Sequence, residues 1–225
     1  MYETDPTSQV TPQSLSRKER EFARREKDIL DAAMRLFDCA HWEEITVEQI
    51  AKEAEVGKGT VYKHFPSKEA LYAQISLEFH ESLLNTFYEV ERKQPILKIF
   101  KTIIRHSFHY FLNHPVPARV SFYCKRYEFV ERMPSEYRER FELLEVRFDE
   151  FIEAILKEGI AAGTLPNRPL NELTAGLEAT FDGAMTMMWN REPADRFHMD
   201  DESFIHLISD FMVAGLAGLN RGEDK

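Results

Sequence analysis

The chain has 225 residues, 43% of them hydrophobic, which is enough to bury a core in one or two domains. It contains no apolar run near the roughly 18 residues of a membrane-spanning helix, and its N-terminus lacks the apolar segment of a signal peptide. Cys39 and Cys124 lie far apart and have no metal-ligand or redox spacing. We therefore expect a cytoplasmic protein with reduced thiols, no cofactor, no metal site and no membrane contact.

The chain opens with a polar stretch that predicts a disordered tail over residues 1–15, since it holds two prolines and no hydrophobic periodicity. Five basic residues follow, namely Arg17, Lys18, Arg20, Arg24 and Arg25. They fit either a basic arm that contacts nucleic acid or the solvated first turns of a long helix with balanced charges. The helix continues through Ile29, Ala33, Leu36 and Phe37, whose spacing predicts the core of a small domain.

The stretch from Thr46 to Lys68 predicts two short helices joined by a tight turn and followed by a third helix. Thr46 and Gln49 have the spacing of a capping box, so the first helix begins after Thr46. That helix ends near Glu55–Gly57, and the next one, from Lys58 to Phe65, is limited by Pro66. Two helices with this spacing are typical of a helix-turn-helix.

The second of these helices has one apolar and one polar face. Val61 and Phe65 are spaced to point inward together. The remaining positions are small, basic or hydroxyl-bearing: Lys58, Gly59, Thr60, Tyr62, Lys63 and His64. Such a face suits insertion into a DNA major groove, where Gly59 and Thr60 permit close approach and Lys63 reaches a guanine edge. Tyr62, His64 and Lys68 suit phosphates. The alternative is a helical hairpin with a solvated basic face.

These residues closely resemble the recognition signature of the TetR (tetracycline-repressor) family. The resemblance lies in Gly57–Phe65 and Ser67–Leu71, and upstream in Ile29–Ala33, Leu36–Phe37 and Ile45–Ala51, and spans roughly residues 24–75. It implies that Thr46 and Val47 sit at a helix end that touches phosphates, that Lys58, Gly59, Thr60 and Lys63 face base edges or backbone, and that Tyr62, His64 and Lys68 contact phosphates. One departure is Glu55, where the family usually has glycine; a left-handed glutamate there costs on the order of 1 kcal/mol.

The formal net charge of −10 is unevenly distributed. Residues 17–68 contain 11 Lys/Arg and 11 Asp/Glu, so the entire excess of negative charge lies outside them. An acidic body combined with a neutral, locally basic end directs that end toward DNA.

The helix after Ser67 carries Leu71, Ile75, Phe79 and Leu83 along one side, and Gln94–Pro95 marks a break after it. The resemblance implies that this helix is a lever whose shift changes the spacing of two recognition helices. The region from Ile96 to Gly163 is helical and rich in aromatic residues, interrupted by Pro115 and Pro117. These residues form a core or surround a cavity for an apolar ligand.

The resemblance favours the cavity, with Phe100, Ile104, Phe108, Phe122 and Phe148 as candidate ligand-binding residues. Arg105, Arg119, Lys125 and Arg126 are either anchors for an anionic head group at its mouth or solvated surface residues. His106, His109 and His114 lie close together but lack the further ligands of a metal site, so we expect polar helix positions.

The C-terminal section predicts two amphipathic helices. The first opens at Asn167–Pro169 and carries small residues such as Gly176, Ala179 and Gly183. The second follows Arg191–Pro193 and presents Phe204, Ile208 and Phe211. Two such helices from each subunit form a four-helix dimer interface, as they do in the family, or they belong to the intrachain core.

The sequence therefore predicts an all-α protein with an N-terminal three-helix helix-turn-helix domain and a larger C-terminal helical bundle. The predicted divisions are a tail (1–15), a DNA-binding domain (16–70) and a ligand-binding and dimerisation domain (71–225). The predicted function is a homodimeric repressor that binds a pseudo-palindromic operator in double-stranded DNA and is released by an apolar or amphipathic small molecule. The alternative is an effector-independent DNA-binding protein that acts through a protein partner or as a structural DNA binder, with a fully packed C-terminal domain. No catalytic motif is present, so an enzyme is not expected.

Overall fold

The computed structural model describes residues 16–218, so the predicted tail over residues 1–15 lies outside the described residues, as do residues 219–225. Every regular element between Arg17 and Gly218 is a helix, which confirms the predicted all-α class. The chain forms two compact units that divide between Lys68 and Glu69. None of the described helices is long and apolar enough to cross a membrane.

From residue 16 onward, the first unit contains three helices and a short 3₁₀ turn. Helix α1 spans Arg17–Leu36, the 3₁₀ turn spans Trp42–Glu44, α2 spans Val47–Glu53 and α3 spans Lys58–His64. Capping boxes start α1 (Ser16 with Glu19) and α2 (Thr46 with Gln49), which confirms the prediction at Thr46. The core consists of fully buried side chains from all three helices and the segments that follow them: Ile29, Ala33, Phe37, Ile50, Val61 and Phe65.

The turn between α2 and α3 depends on a left-handed residue. Glu55 has a φ of 53°. Its N–H donates to the Lys52 carbonyl (3.1 Å), and the Val56 N–H donates to the Ala51 carbonyl (2.9 Å). This pair of hydrogen bonds is the Schellman motif that ends many helices, usually with glycine at the left-handed position. Glu55 therefore meets the condition raised by the sequence, a left-handed glutamate where the family usually has glycine, and it is held in a strained conformation.

The second unit, as far as the structure describes it, contains eight helices. They are α4 (Lys68–Tyr88, which begins one residue before the division), α5 (Ile96–Asn113), α6 (Pro115–Cys124), α7 (Tyr127–Arg132), α8 (Ser135–Ala161), α9 (Leu170–Trp189), α10 (Glu192–Phe197) and α11 (Asp201–Gly218). Five prolines mark helix starts, one of them Pro193 as the second residue of α10. Pro95, Pro134 and Pro169 precede α5, α8 and α9, while Pro115 is the first residue of α6. Proline is favoured there because the first helical N–H groups have no partner within the helix.

The segment between α9 and α11 differs from the prediction of a single helix after Arg191–Pro193. A separate six-residue helix, α10, intervenes, and α11 begins only after Asp200, whose carboxylate accepts a hydrogen bond from the Ser203 N–H (2.7 Å). The reason is conformational. Arg191 (φ 59°) and His198 (φ 52°) are left-handed and bound α10 on both sides.

Helix α5 packs against α11, which also packs against α9. Ion pairs join α5 to α11 at their edges, between Lys101 and Asp210 and between Arg105 and Glu202. The interior between the helices is aromatic, with Phe111 4.8 Å from Phe79 and 5.0 Å from Phe181 between ring centroids. These helices surround the cavity described below.

Candidate DNA-binding surface and ligand cavity

Helix α3 is anchored by its apolar side and exposes the opposite side. Val61 and Phe65 are both 1% exposed, as predicted from their spacing. Lys58, Gly59, Tyr62 and Lys63 are exposed, and Thr60 is half-buried beside them. The helix ends where Phe65 takes an extended conformation before Pro66, because a residue that precedes proline disfavours the helical region.

Gly59 lies at an unobstructed point of this surface. A Cβ atom added at Gly59 would meet no atom within 4 Å, so the fold itself does not require glycine there. Its φ does not require glycine either, since Glu55, Arg191, His198 and Gly163 are the described residues with positive φ. The room above Gly59 is open to an approaching molecule.

Thr46 and Val47 form the N-terminal end of α2. The Thr46 hydroxyl accepts a hydrogen bond from the Gln49 N–H (3.3 Å), and the Thr46 N–H donates to Gln49 Oε1 (2.8 Å). The Val47 side chain is only 8% exposed and packs in the core. Val47 therefore offers its backbone N–H, at the positive end of the helix, rather than its side chain.

An ion pair joins α2 to α3. Lys58 Nζ donates to the Glu48 carboxylate and lies 5.8 Å from the centroid of the Tyr62 ring. The hydrogen bond from Lys58 lowers the pKa of Glu48 and raises that of Lys58, so both groups are charged at neutral pH. Lys63 is exposed on the same helix, whereas Lys68 Nζ donates to the Glu43 carbonyl (2.6 Å) in the 3₁₀ turn.

The predicted phosphate contact by the His64 side chain needs correction. The imidazole is only 4% exposed and lies 3.7 Å from the Glu26 carboxylate, measured from Nδ1. Its ring stacks on Phe22 of α1, with 4.0 Å between the centroids. His64 therefore joins α3 to α1 in this structure instead of pointing into solvent, because Phe22 supplies an apolar surface that covers the ring.

The basic residues at the start of the described chain belong to α1. Arg24 and Arg25 both lie near the Glu21 carboxylate, at 2.8 and 3.5 Å, and the helix begins at Arg17. Of the two interpretations of the basic segment, the structure supports the first turns of a long helix with paired charges.

A cavity of about 600 Å³ lies inside the second unit. Its apolar walls include Leu83, Phe100, Ile104, Phe111, Phe148 and Phe181. Helix α4 contributes Ser76, His80, Leu83 and Phe87, so the helix that follows the first unit along the chain also lines this space. The volume falls in the range of small-molecule sites in proteins.

Three of the five predicted ligand-binding residues line this cavity, namely Phe100, Ile104 and Phe148. Phe108 does not line it. Its side chain is fully buried, and its ring packs against that of Phe181 with 4.6 Å between the centroids. Phe122 lines a separate, shallower depression and packs 4.6 Å from Trp189 between ring centroids. Regular spacing identified the helix face, but not which of its aromatic residues would meet another ring.

The basic residues considered as anchors for an anionic head group are mostly elsewhere. Only Lys125 lines the cavity, and its Nζ is bound to both oxygens of Asp182, at 2.9 and 2.8 Å. Arg105 is paired with Glu202, away from the cavity lining. His80 is a wall residue that was not predicted from the sequence, since a single histidine within an apolar helix gives no distinguishing signal.

Comparison with known proteins identifies the first unit. Residues 29–75 match the family model for bacterial regulatory proteins of the tetR family. The match covers α2, the left-handed turn and α3, the elements that expose Gly59 and Lys63. The chain belongs to the TetR family. It is a DNA-binding transcriptional regulator with a helix-turn-helix, and members of this family are regulators rather than enzymes.

Two similar regulators extend this result. The uncharacterised HTH-type transcriptional regulator YhgD of Bacillus subtilis is 25% identical over 197 residues, which cover 86% of this chain and 97% of YhgD. The HTH-type transcriptional regulator TcmR of Streptomyces glaucescens is 38% identical over 68 residues, or 30% of each chain.

Solved structures show the same fold. The crystal structure of the transcriptional regulator FadR from B. subtilis, in complex with stearoyl-CoA, aligns with a TM-score of 0.65 at 19% identity and covers 85% of this chain and 97% of FadR. A bacterial regulatory protein of the tetR family from Rhodococcus RHA1 aligns with a TM-score of 0.68 at 16% identity and covers 86% and 97% of the two chains.

The three clustered histidines of this TetR-family chain are separated in their contacts. His106 is exposed, His109 Nε2 lies 3.3 Å from the Glu202 carboxylate, and His114 Nδ1 lies 2.8 Å from the Tyr110 carbonyl. Among residues 16–218, no group of three or more His, Cys, Asp or Glu side chains is arranged to hold a metal ion.

TetR-family regulators typically bind DNA as dimers. In this chain α9 and α11 each expose small or apolar residues, as a helix-to-helix contact between subunits requires. Leu207 and Phe211 of α11 are 51% and 65% exposed, on the same side as Ala214. Helix α9 exposes Ala175, Gly176, Ala179 and Gly183. Small residues allow close helix approach, and a partner helix that packs there would also remove the apolar side chains of Leu207 and Phe211 from water.

Proposed function

We propose that this protein is a homodimeric transcriptional repressor whose first unit binds a pseudo-palindromic operator and whose second unit binds an apolar or amphipathic effector that releases the DNA. The observation that supports it best is a cavity of about 600 Å³ partly lined by α4, the helix that begins at the division between the units. In this proposal residues 16–70 are the DNA-binding domain and residues 71–225 bind the effector and form the dimer.

The proposed recognition surface is the exposed side of α3 with the start of α2. Gly59, Thr60 and Lys63 face base edges, since they are the small or basic residues that the core does not use. Phosphates are contacted by Tyr62, Lys58, Lys68, the Thr46 side chain and the Val47 N–H. Lys58 is bound to Glu48 in the free protein, so contact with DNA requires that it exchange one anionic partner for another.

The cavity supports an effector over the fully packed domain that an effector-independent regulator would have. A ligand that enters touches Ser76, His80, Leu83 and Phe87 of α4. It changes DNA affinity only if it binds one arrangement of α4 more tightly than the other. The proposal is supported by FadR, which shares the fold and was solved in complex with stearoyl-CoA, an amphipathic molecule.

The dimer follows from the size of the recognition element. A seven-residue helix reads only a few base pairs, so two copies on an inverted repeat provide the length that specific binding needs. The exposed faces of α9 and α11 are the surfaces that we assign to the contact between subunits.

The test is a DNA-release assay with the purified full chain. An operator is first selected from randomised duplexes, and amphiphiles of one chain length with cationic, neutral and anionic head groups are then added below their critical micelle concentrations. We expect at least one to lower operator affinity tenfold or more and to raise the thermal midpoint of the protein. A protein that binds the operator but is neither stabilised nor released by any of them would favour the effector-independent alternative.

A further inference from the structure

Many of the polar groups that line the cavity are hydrogen-bond acceptors. Ser107 Oγ donates to the Ile103 carbonyl (2.9 Å), and Ser121 Oγ donates to the Ala118 carbonyl (2.8 Å). Thr174 Oγ1 likewise lies 3.2 Å from the Leu170 carbonyl of its own helix. Each of these three hydroxyls has thus used its proton on a backbone oxygen, and what it offers to a ligand is a lone pair.

His80 adds an acceptor in the cavity wall. Its Nδ1 lies 2.8 Å from the Ser76 carbonyl, which can only accept, so Nδ1 carries the proton. Burial lowers the pKa of His80 to about 4, and the ring is neutral at physiological pH. The remaining nitrogen, Nε2, is therefore an acceptor, and it has no hydrogen-bond partner within residues 16–218.

The mouth of the cavity is acidic. Its exposed lining residues include four carboxylates from α8 and α9, namely Glu142, Glu145, Asp149 and Glu178. None of the four forms an ion pair with another described residue. The fifth lining carboxylate, Asp182, is bound to Lys125, so Arg138 is the one lining cation that forms no ion pair in the described part of the chain.

The walls also suit a positive charge. Phe100, Phe111, Phe141, Phe148 and Phe181 present aromatic rings to the cavity, and ring faces attract cations, most strongly where water is excluded. An anionic head group would instead meet four carboxylates that form no ion pair within residues 16–218, with Arg138 as the one uncommitted lining cation of that range, and like charges in such proximity repel.

We propose that the effector is a cationic amphiphile, an apolar molecule that carries a protonated amine. Its apolar part fills the aromatic walls and its N–H groups meet the acceptors and carboxylates. This inference rests on the proposed effector function and narrows it to one ligand class. It also sets this protein apart from FadR, whose bound stearoyl-CoA is an anion.

The test compares three ligands of equal chain length, decylamine, decanol and decanoate, by isothermal titration and thermal shift on the full chain near neutral pH. Decylamine should bind at one site per subunit and at least tenfold more tightly than either of the others. Its preference should weaken with added salt, since the carboxylates at the mouth are exposed.

Variants assign the preference to the cavity. Glu145→Gln combined with Glu178→Gln should reduce the advantage of decylamine over decanol at least fivefold, and both positions are exposed, so the fold should be retained. Glu136→Gln is the matched control, because it is an exposed acid of α8 outside the cavity lining.

The outcomes separate this inference from the function on which it rests. Tighter binding of decanoate or decanol would overturn the cationic class and leave the effector cavity intact. If the double variant retains the full advantage of decylamine over decanol, the carboxylates at the mouth do not select the amine. Binding of none of the three would contradict both the ligand class and the effector cavity.

Discussion

At the residue scale, Gly59 is an exposed glycine that the fold does not require, and the residues around it explain why glycine is useful there. A methyl group at Gly59 meets nothing within 4 Å, and alanine is the better helix former. The protein therefore gains no stability from this glycine. Its neighbours Lys58, Thr60 and Lys63 form the surface that we assign to DNA, where a backbone without a side chain permits the closest approach.

Gly59→Ala should stabilise the protein and weaken operator binding. We expect the free energy of unfolding to rise by about 0.5–1 kcal/mol, measured by urea denaturation, and operator affinity to fall at least tenfold, measured by fluorescence anisotropy. Asp31→Ala, at an exposed position of α1, is the control that raises helix propensity without weakening binding. Unchanged operator affinity for Gly59→Ala would remove α3 from the proposed interface.

His80 should make stability depend on pH. Its pKa is lowered from 6.5 to about 4 by burial, so the unfolded chain binds a proton that the folded chain does not between these values. The contribution of this group is thus fully present above pH 6.5 and is lost as the pH falls toward 4, by on the order of 3 kcal/mol. Urea unfolding of His80→Phe across this range should show a shallower loss of stability than wild type, whereas His106→Gln, at an exposed position of α5, should follow wild type. Equal slopes for His80→Phe and wild type would contradict a neutral buried His80.

At the element scale, the relation between α2 and α3 is fixed by two capping devices and one strained residue. The capping box at Thr46 starts α2, and the Schellman motif at Glu55 ends it. A glutamate in the left-handed region costs on the order of 1 kcal/mol, because its Cβ crowds the following carbonyl group. The turn is therefore held in place by the packing of the helices on either side.

Glu55→Gly should relieve this strain and raise the free energy of unfolding by about 1 kcal/mol. Glu55→Gln is the matched variant that removes the charge but retains the strain, so it should leave stability close to wild type. If removal of the charge alone improves DNA binding, both variants will show it equally in anisotropy titrations. A loss of stability in Glu55→Gly would contradict a strained turn.

Patterns within one element were predictable from the sequence, and contacts between elements were less so. The capping box, the proline-marked helix starts and the inward pair Val61 and Phe65 follow from local spacing. Helix α10 was not foreseen, because left-handed Arg191 and His198 carry no glycine signal. The burial of His64 against Phe22 and the exclusion of Phe108 from the cavity depend on neighbours distant in sequence, which periodicity does not reveal.

At the scale of the whole molecule, charge and apolar surface are segregated. The formal charge of −10 lies entirely outside residues 17–68, so the helix-turn-helix unit is neutral while the remainder repels DNA. The exposed apolar side chains Leu207 and Phe211 lie on α11, away from the recognition helix in the chain. This division of surfaces suits a dimer that presents two recognition helices to one DNA duplex.

Phe211→Glu should convert the protein from a dimer to a monomer, because it places a charge in the proposed apolar interface. We expect subunit association to weaken at least a hundredfold in analytical ultracentrifugation, with helical content unchanged, and operator affinity to fall with it. Leu143→Glu is the control, since Leu143 is equally exposed (67%) but lies on α8. A Phe211→Glu variant that remains dimeric would place the subunit contact elsewhere.

The most direct test of the account is selection of binding sites from randomised DNA duplexes by the purified full chain, at a stated salt concentration because phosphate contacts make affinity salt-dependent. We predict enrichment of a short inverted repeat whose half-sites lie about one helical turn apart, or a multiple of it, with enrichment lost in Gly59→Ala. A single unrepeated element, or no enriched sequence at all, would contradict specific recognition by a dimer through α3.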